Sequence, residues 1–357
     1  MSSEVPSAPP RNPRMIDVAR LAGVSQQTVS RLVNGDTNVR PEIRERVEGA
    51  IRQLQYRRNT AARALATKRT MDLGVISFGL TQYGPSVALS GIAEEARKAG
   101  YATSLVTLEE VGVESIRRGL DHLVAESVDG IIVLAPVQSA MTALSALPTA
   151  VPLVVFAPGA DEGMASVAVD EVLGARLATR HLLDLGHETV WHVSGPQGWL
   201  GAEARIRGWR EELASAGRVA NVDFEGDWSP ESGYMAGREI AANPEITAVF
   251  VANDQMALGV LSALAEAGRS VPEDVSVIGF DDVPESRFYA PGLTTLRLDF
   301  SEVGRLCVER ILDLMKGTAL APVPLLQPEL VHRSSTAPPH IGDAASASPA
   351  NATTTIT

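Results

Sequence analysis

From Leu73 onward the chain repeats one pattern, a short apolar run followed by a longer amphipathic stretch. LGVISF, ATSLVTL, GIIVLA and VPLVVF read as strands, and the stretches near 85–99, 111–126 and 137–146 between them have helical spacing. A continuous apolar run marks a strand covered on both faces, and strands joined through helices run parallel. ASVAVD, TVWHVSG, FEGDW, AVFVAND and VSVIGFDD form a second set, again with helices between them. The pattern predicts two doubly wound parallel-sheet α/β subdomains. In such folds the ligand lies beyond the carboxyl ends of the strands, here in the cleft between the halves.

Ahead of this core stands a stretch of another kind. In Ile16 to Asn34, IDVARLAGVSQQTVSRLVN, the residues Val18, Leu21 and Ala22 give one short helix with a buried stripe. Gly23 supplies a left-handed turn, and Val29, Leu32 and Val33 give a second helix. This is a helix-turn-helix with Ser25 at the N-cap, so the exposed start of the second helix carries Gln26, Gln27, Thr28, Ser30 and Arg31. Such side chains bond base edges or phosphates in a major groove. A third helix starting near Pro41 would pack Ile43, Val47, Ile51 and Leu54 inward, with Tyr56 closing the small core.

The net charge of −12 at first contradicts DNA binding, but it is unevenly divided. Residues 1–70 carry 13 Lys+Arg against 6 Asp+Glu, a net +7, which leaves −19 for the rest. The basic part is the part with the helix-turn-helix, and the acidic body repels phosphate. At 357 residues the chain exceeds a single core.

The cleft candidates stand just past the expected strand ends. Arg205 follows TVWHVSGPQGWLGAEA, Asp227 and Trp228 follow FEG, Asn253 and Asp254 end AVFVA, and Asp281 and Asp282 end VSVIGF. A sugar asks for this combination, since its hydroxyls need planar donors and acceptors and its apolar ring face needs a flat aromatic partner. A structural ion pair between Arg205 and Asp281, and a core role for Trp228, remain open alternatives at this point.

Other classes lack their signatures. Neighbouring Asp281 and Asp282 should point apart and so make no general acid–base pair. None of the 6 histidines has metal-ligand spacing and no serine sits in GxSxG, so no enzyme, metal or cofactor is expected. The single cysteine, Cys307, lies at helical spacing among apolar residues and reads as a buried thiol in a reducing cytosol. No apolar stretch spans a bilayer and the N-terminus lacks a signal-peptide pattern, so a cytoplasmic protein without membrane contact is expected.

IDVARLAGVSQQTVSRLVNG, the third helix PEIRERVEGAIRQLQY and the following NTAARALAT resemble the headpiece and hinge of the LacI/GalR family of bacterial transcription repressors. EGDWSPESGY, VANDQMALG, FDDVPES and PGLTTLRLDF extend the resemblance to about Thr336. It implies a disordered arm over 1–13, a DNA-binding headpiece over 14–58, a hinge helix over 59–69 and a periplasmic-binding-protein-like core over 70–336. In that core the chain crosses three times, giving an N-subdomain of about 70–168 plus 300–327 and a C-subdomain of about 169–299 plus 328–336. The segment 337–357 has no leucine heptads and reads as a disordered tail, with no tetramer-forming helix.

Carried over residue by residue, the resemblance assigns DNA contacts to Arg14, Ser25, Gln26, Gln27, Thr28, Arg31, Asn34 and Asn38, and a minor-groove wedge to Leu65. Gln26 stands where a relative has tyrosine. Ligand contacts fall on Pro85, Phe156, Arg205, Trp228, Asn253, Asp281, Phe300 and Val303, and Tyr83 adds an aromatic surface beside Gly84-Pro85. Leu134, Ala157 and Leu298 replace polar residues of the sugar-binding pattern, which makes the first subdomain's side of the cleft less polar. The implied function is a homodimeric repressor of a sugar-utilisation operon that binds double-stranded operator DNA and leaves it when a galactoside-like glycoside fills the cleft. The alternatives are a purine-type corepressor or a non-galactoside sugar inducer.

Overall fold

A computed structural model of the chain describes residues 13–33, 39–56, 69–147, 149–157, 164–221, 224–318 and 325–340. It divides into two compact units, Met1–Thr70 and Met71–Thr357.

In the first unit, helix α1 (Met15–Ala22) opens where the Asp17 carboxylate accepts the backbone N–H of Arg14 at 2.9 Å. It ends at Gly23, whose φ of 61° is the left-handed C-cap that only glycine adopts without strain. Arg46 donates to the carbonyls of Ala22 and Gly23 and so satisfies the helix end from the third helix. Helix α2 (Gln26–Val33) follows Ser25, whose Oγ accepts the Thr28 N–H at 3.1 Å. Helix α3 (Pro41–Leu54) begins on its proline. Val18, Ala19, Ala22, Val29, Val47 and Ala50 are buried, with Ile43, Ile51, Leu54 and Tyr56 packed around them. Leu21, expected in the buried stripe, is 46% exposed. The inward face of α1 follows 15, 18, 19 and 22 at i, i+3, i+4 and i+7, and Ala19 takes the place expected of Leu21.

The second unit has two halves. In chain order the first contains β1 (Asp72–Phe78), α4 (Tyr83–Lys98), β2 (Ala102–Leu108), α5 (Val113–Ala125), β3 (Gly130–Leu134), α6 (Gln138–Ala146), β4 (Leu153–Phe156) and β5 (Ala165–Val167). Its sheet is wholly parallel in the order β2-β1-β3-β4-β5, which reverses direction between β1 and β3. The second half contains α7 (Glu171–Asp184), β6 (Trp191–Ser194), α8 (Leu200–Ser215), β7 (Phe224–Glu225), α9 (Pro230–Ala242), β8 (Ala248–Val251), α10 (Asp254–Glu266) and β9 (Ser276–Ile278). Its parallel sheet has the order β7-β6-β8-β9 and the same kind of switch between β6 and β8. Strand β10 (Thr295–Arg297) pairs antiparallel with β11 (Glu329–Val331). Between them helix α11 (Phe300–Met315) packs on α4, β3 and β4 of the first half. Leu326 then lies beside Ala168 and Asp170, exchanging backbone bonds with both where the chain returns.

Three expectations need correction here. The strand pattern alone grouped ASVAVD with the second set, yet β5, which falls inside the expected N-subdomain bound of about 168, pairs with β4 and closes the first sheet, with Phe156 opposite Val167. ATSLVTL was expected to be buried on both faces, yet β2 is the outer strand and leaves Leu105 47% exposed. Both errors concern pairing partners, which periodicity does not encode. The tail was expected to be disordered from 337, yet the Ala337 N–H donates to Ser276 Oγ at 3.0 Å and the Ala337 carbonyl accepts from that hydroxyl at 2.9 Å. The buried His187 lies between Ser276 and Ala337 and helps to hold this junction.

Candidate functional site

In the first unit α2 leaves Gln26, Gln27 and Arg31 exposed, Gln27 and Arg31 on the face opposite the buried Val29, with Thr28 half-buried. Ser25 is exposed and holds the helix start, and Arg14 is exposed just ahead of α1. An amphipathic helix with amides and a guanidinium on its outward face has the donors and acceptors that base edges present. Asn34, Asn38 and Leu65, with hinge residues 59–68, lie outside the described residues.

In the second unit the carboxyl ends of both sheets surround an open cavity of about 560 Å³, solvent space included. The first half contributes Gln82, Tyr83, Gly84, Pro85, Pro136, Phe156 and Phe300, and the second contributes Glu171, Trp199, Gly201, Arg205, Trp228, Asn253 and Asp281. Both switch points therefore feed one space, where a doubly wound fold binds ligands.

Its polar side is organised by Arg205, on the second turn of α8 and only 5% exposed. Arg205 Nε donates to Glu171 Oε2 at 2.8 Å, Nη2 reaches Asp281 Oδ1 at 3.4 Å, and Nη1 donates to the Ala252 carbonyl. The guanidinium lies over the Phe280 ring at 3.9 Å, with Trp228 at 5.5 Å. Burial works against the charge of Arg205, but Glu171 and then Asp281 outweigh it and hold its pKa above the ordinary arginine value. For Asp281 burial wins: its carboxyl is pushed up to about 7 although Arg205 pulls it down. The ion-pair alternative is therefore present in the fold, and the paired groups also line the cavity.

Local structure fixes each neighbour. Asn253 caps α10, its Oδ1 accepting the Met256 N–H at 2.8 Å and its Nδ2 donating to the Trp228 carbonyl at 3.2 Å. Trp228 sits at φ 73°, 7% exposed, against Gly195. A Cβ on Gly195 would come within 2.2 Å of the indole. The buried Trp228 Nε1 has no hydrogen-bond partner. Asp281 also holds a positive φ, 107°, and is bonded through its N–H to the Leu296 carbonyl at 2.7 Å. Asp282 turns away to Arg297 at 2.8 Å and Arg333 at 2.5 Å, so the two carboxylates share no partner. On the apolar side Phe300 meets Tyr83 and Phe156 edge-on at 6.1 and 6.4 Å, with Pro85 buried beside them.

Some sequence candidates fall elsewhere. Val303 is fully buried in the core and does not line the cavity, because α11 presents it one turn below Phe300 toward the sheet. Leu134, Ala157 and Leu298 are buried outside the lining. Asp254 points inward, accepting from Thr295 Oγ1 at 2.6 Å and the Val283 N–H at 2.9 Å, and burial holds its carboxyl well above the ordinary value. Asp227 is exposed and bonds the Ser229 N–H ahead of α9. Glu171 and Trp199 were missed. Glu171 follows directly on the strand-like ASVAVD with nothing in its neighbourhood to mark it, whereas a tryptophan inside the glycine-rich GPQGWLG after β6 was a legible signal. Among the described residues no group of three or more His, Cys, Asp and Glu can hold a metal, and no helix is long and apolar enough to cross a membrane. Cys307 is buried, which pushes its thiol up to about 12.

Comparison with known proteins gives a consistent set of matches. Residues 14–59 match the family described as bacterial regulatory proteins, lacI family, and residues 179–336 match a periplasmic binding protein-like domain. The lactose operon repressor of Escherichia coli (strain K12) is 36% identical over 329 residues, 91% of each chain. The HTH-type transcriptional repressor PurR of Pasteurella multocida (strain Pm70) is 35% identical over 89% of this chain and 97% of its own. A crystal structure of the lac repressor dimer bound to operator and the anti-inducer ONPF superposes with a TM-score of 0.82 at 35% identity, covering 92% of this chain and 100% of that one.

Proposed function

The chain belongs to the LacI family and is a DNA-binding transcriptional repressor, and from that premise we propose that it is a homodimer released from its operator by a small glycoside. Residues 14–58 read the major groove through Gln26, Gln27, Thr28 and Arg31, with phosphate contacts from Arg14 and Ser25 and further contacts from Asn34 and Asn38. Two half-sites require two headpieces, and the hinge over 59–69 sets Leu65 as a wedge in the bent minor groove. The core over 70–336 holds the effector, a galactoside-like sugar, and the operon controlled is one of sugar use.

The observation that carries the effector reading is the cavity's pairing of two chemistries. A planar charged cluster, Arg205 with Glu171 and Asp281, stands beside Asn253 and the flat ring of Trp228. Pyranose hydroxyls match the cluster in bidentate fashion, and the ring's C–H face matches the indole. A dimer on operator with a bound small molecule is described for the lac repressor, which adds support. No nucleophile or metal is required by this reading, which makes the protein a sensor and not an enzyme.

The test is operator release by a panel of methyl galactosides, methyl glucosides and purine bases, read as loss of binding to labelled operator. Release by a glycoside and no effect of purines is expected. Tighter operator binding in the presence of a purine would replace this reading with the corepressor one, which the similarity to PurR makes the specific competitor.

A further inference from the structure

We infer that Glu171 sets the charge selectivity of the cavity: it gives the polar side one carboxylate more than it has cations, so the preferred effector is a glycoside that carries an ammonium group, and anionic sugars are refused. The inference rests on the glycoside reading above and deepens it.

Among the described residues that line the cavity, charge comes from Glu171, Arg205 and Asp281. Arg205 is the cation of the three, and its guanidinium is engaged by Glu171 at 2.8 Å, by Asp281 at 3.4 Å and by the Ala252 carbonyl. An anionic group would have to displace one of those carboxylates. Glu171 opens α7, where a carboxylate suits the positive end of a helix, but that service needs no burial. Glu171 is nevertheless only 6% exposed and lines the cavity. Its Oε2 accepts the Arg205 Nε–H, whereas Oε1 accepts from no described residue. Asp281 likewise meets Arg205 through Oδ1 alone.

Two buried carboxylates on one guanidinium leave a negative charge to be met by a proton or by a ligand. The excess is felt on both walls. Burial and the neighbouring Glu171 charge together outweigh Arg205 and push the Asp281 carboxyl up to about 7. On the first half's side the Tyr83 hydroxyl is raised by burial and then by the charges of Asp281 and Asp282. A ligand ammonium takes the place of the proton, donating charge-assisted bonds to the carboxylate oxygens that Arg205 leaves open. The Trp228 ring, already 5.5 Å from the Arg205 guanidinium, offers a face that attracts cations and repels anions.

The test is titration calorimetry on the full chain, at or just below neutral pH so that amines stay protonated. The ligands are methyl β-D-galactoside, its amino derivatives with the amine on the second or the sixth carbon, its uronic acid and the same set of glucosides, for the wild type, Glu171→Gln and Glu171→Asp. In the wild type an amino derivative should bind about tenfold tighter than its parent, and the uronic acid about tenfold weaker or not at all. Glu171→Gln should bring amine and parent within about twofold of each other and improve the acid, while Glu171→Asp keeps the wild-type order. If the glutamine variant does not fold, the wild-type order decides. Amino derivatives no tighter than their parents, or an order that Glu171→Gln leaves unchanged, would overturn the inference with the glycoside reading standing. A wild type that binds no member of either set would overturn both.

Discussion

Arg205 holds one positive charge between two carboxylates in a wall that water hardly reaches, and removing it leaves Glu171 and Asp281 facing each other without compensation. Breaking a buried pair from one side costs about 3–5 kcal/mol, so Arg205→Leu should lower core stability by about that amount. The loss should depend on pH in a definite direction. The Asp281 carboxyl is raised from 3.8 to about 7 in the folded chain, so the stability tied to its proton is full below about pH 4 and is lost as pH rises through 7. With Arg205 gone, the proton is the remaining relief of that charge, and denaturant melts at pH 5 should show a smaller deficit than melts at pH 7.5. A deficit independent of pH would mean that Asp281 is already ionised and matched by another group. Arg205, Trp228, Asn253 and Asp281 were legible in the sequence because each is a polar or aromatic residue just beyond a strand-like run. Glu171 was hidden because its contact with Arg205 joins two helices that only the fold brings together, and Val303 was misplaced because the rotation of α11 depends on packing.

Short elements aim these side chains, and two of them can be tested. Ser25 Oγ satisfies the free N–H of Thr28 in the first turn of α2, and Ser25→Ala should cost the headpiece about 1 kcal/mol, seen as a lower denaturation midpoint of the first unit. An unchanged midpoint would mean that the bond is replaced by water without loss. Gly195 begins the loop after β6 where the Trp228 ring lies against it, and an alanine methyl would come within 2.2 Å of the indole. Gly195→Ala should therefore displace Trp228, weaken glycoside binding and leave operator binding unchanged; equal glycoside affinity would show that the indole does not form the binding face. The order of helices and strands was readable because period and composition are local properties. The membership of β5 in the first sheet and the edge position of β2 were not, since each depends on which distant strand comes alongside.

Across the whole molecule the charge is divided, +7 over residues 1–70 and −19 over the remainder. Phosphate contacts release counterions, so operator affinity should fall by about 10³-fold or more between roughly 50 and 200 mM salt if six or more contacts form. A chain reduced to Met71–Thr357 should not bind operator at all, and retained binding would move the DNA interface out of the first unit. The cavity lies within the second unit and α2 within the first, so the proposed function requires two sites whose ligands oppose each other by one shared coupling factor. The measurement that meets this claim most directly is the operator affinity of the full chain as a glycoside is added to saturation. Affinity should fall and then level off, with operator weakening glycoside binding by the same factor. Operator affinity that stays constant or rises while the glycoside demonstrably fills the cavity would contradict that claim.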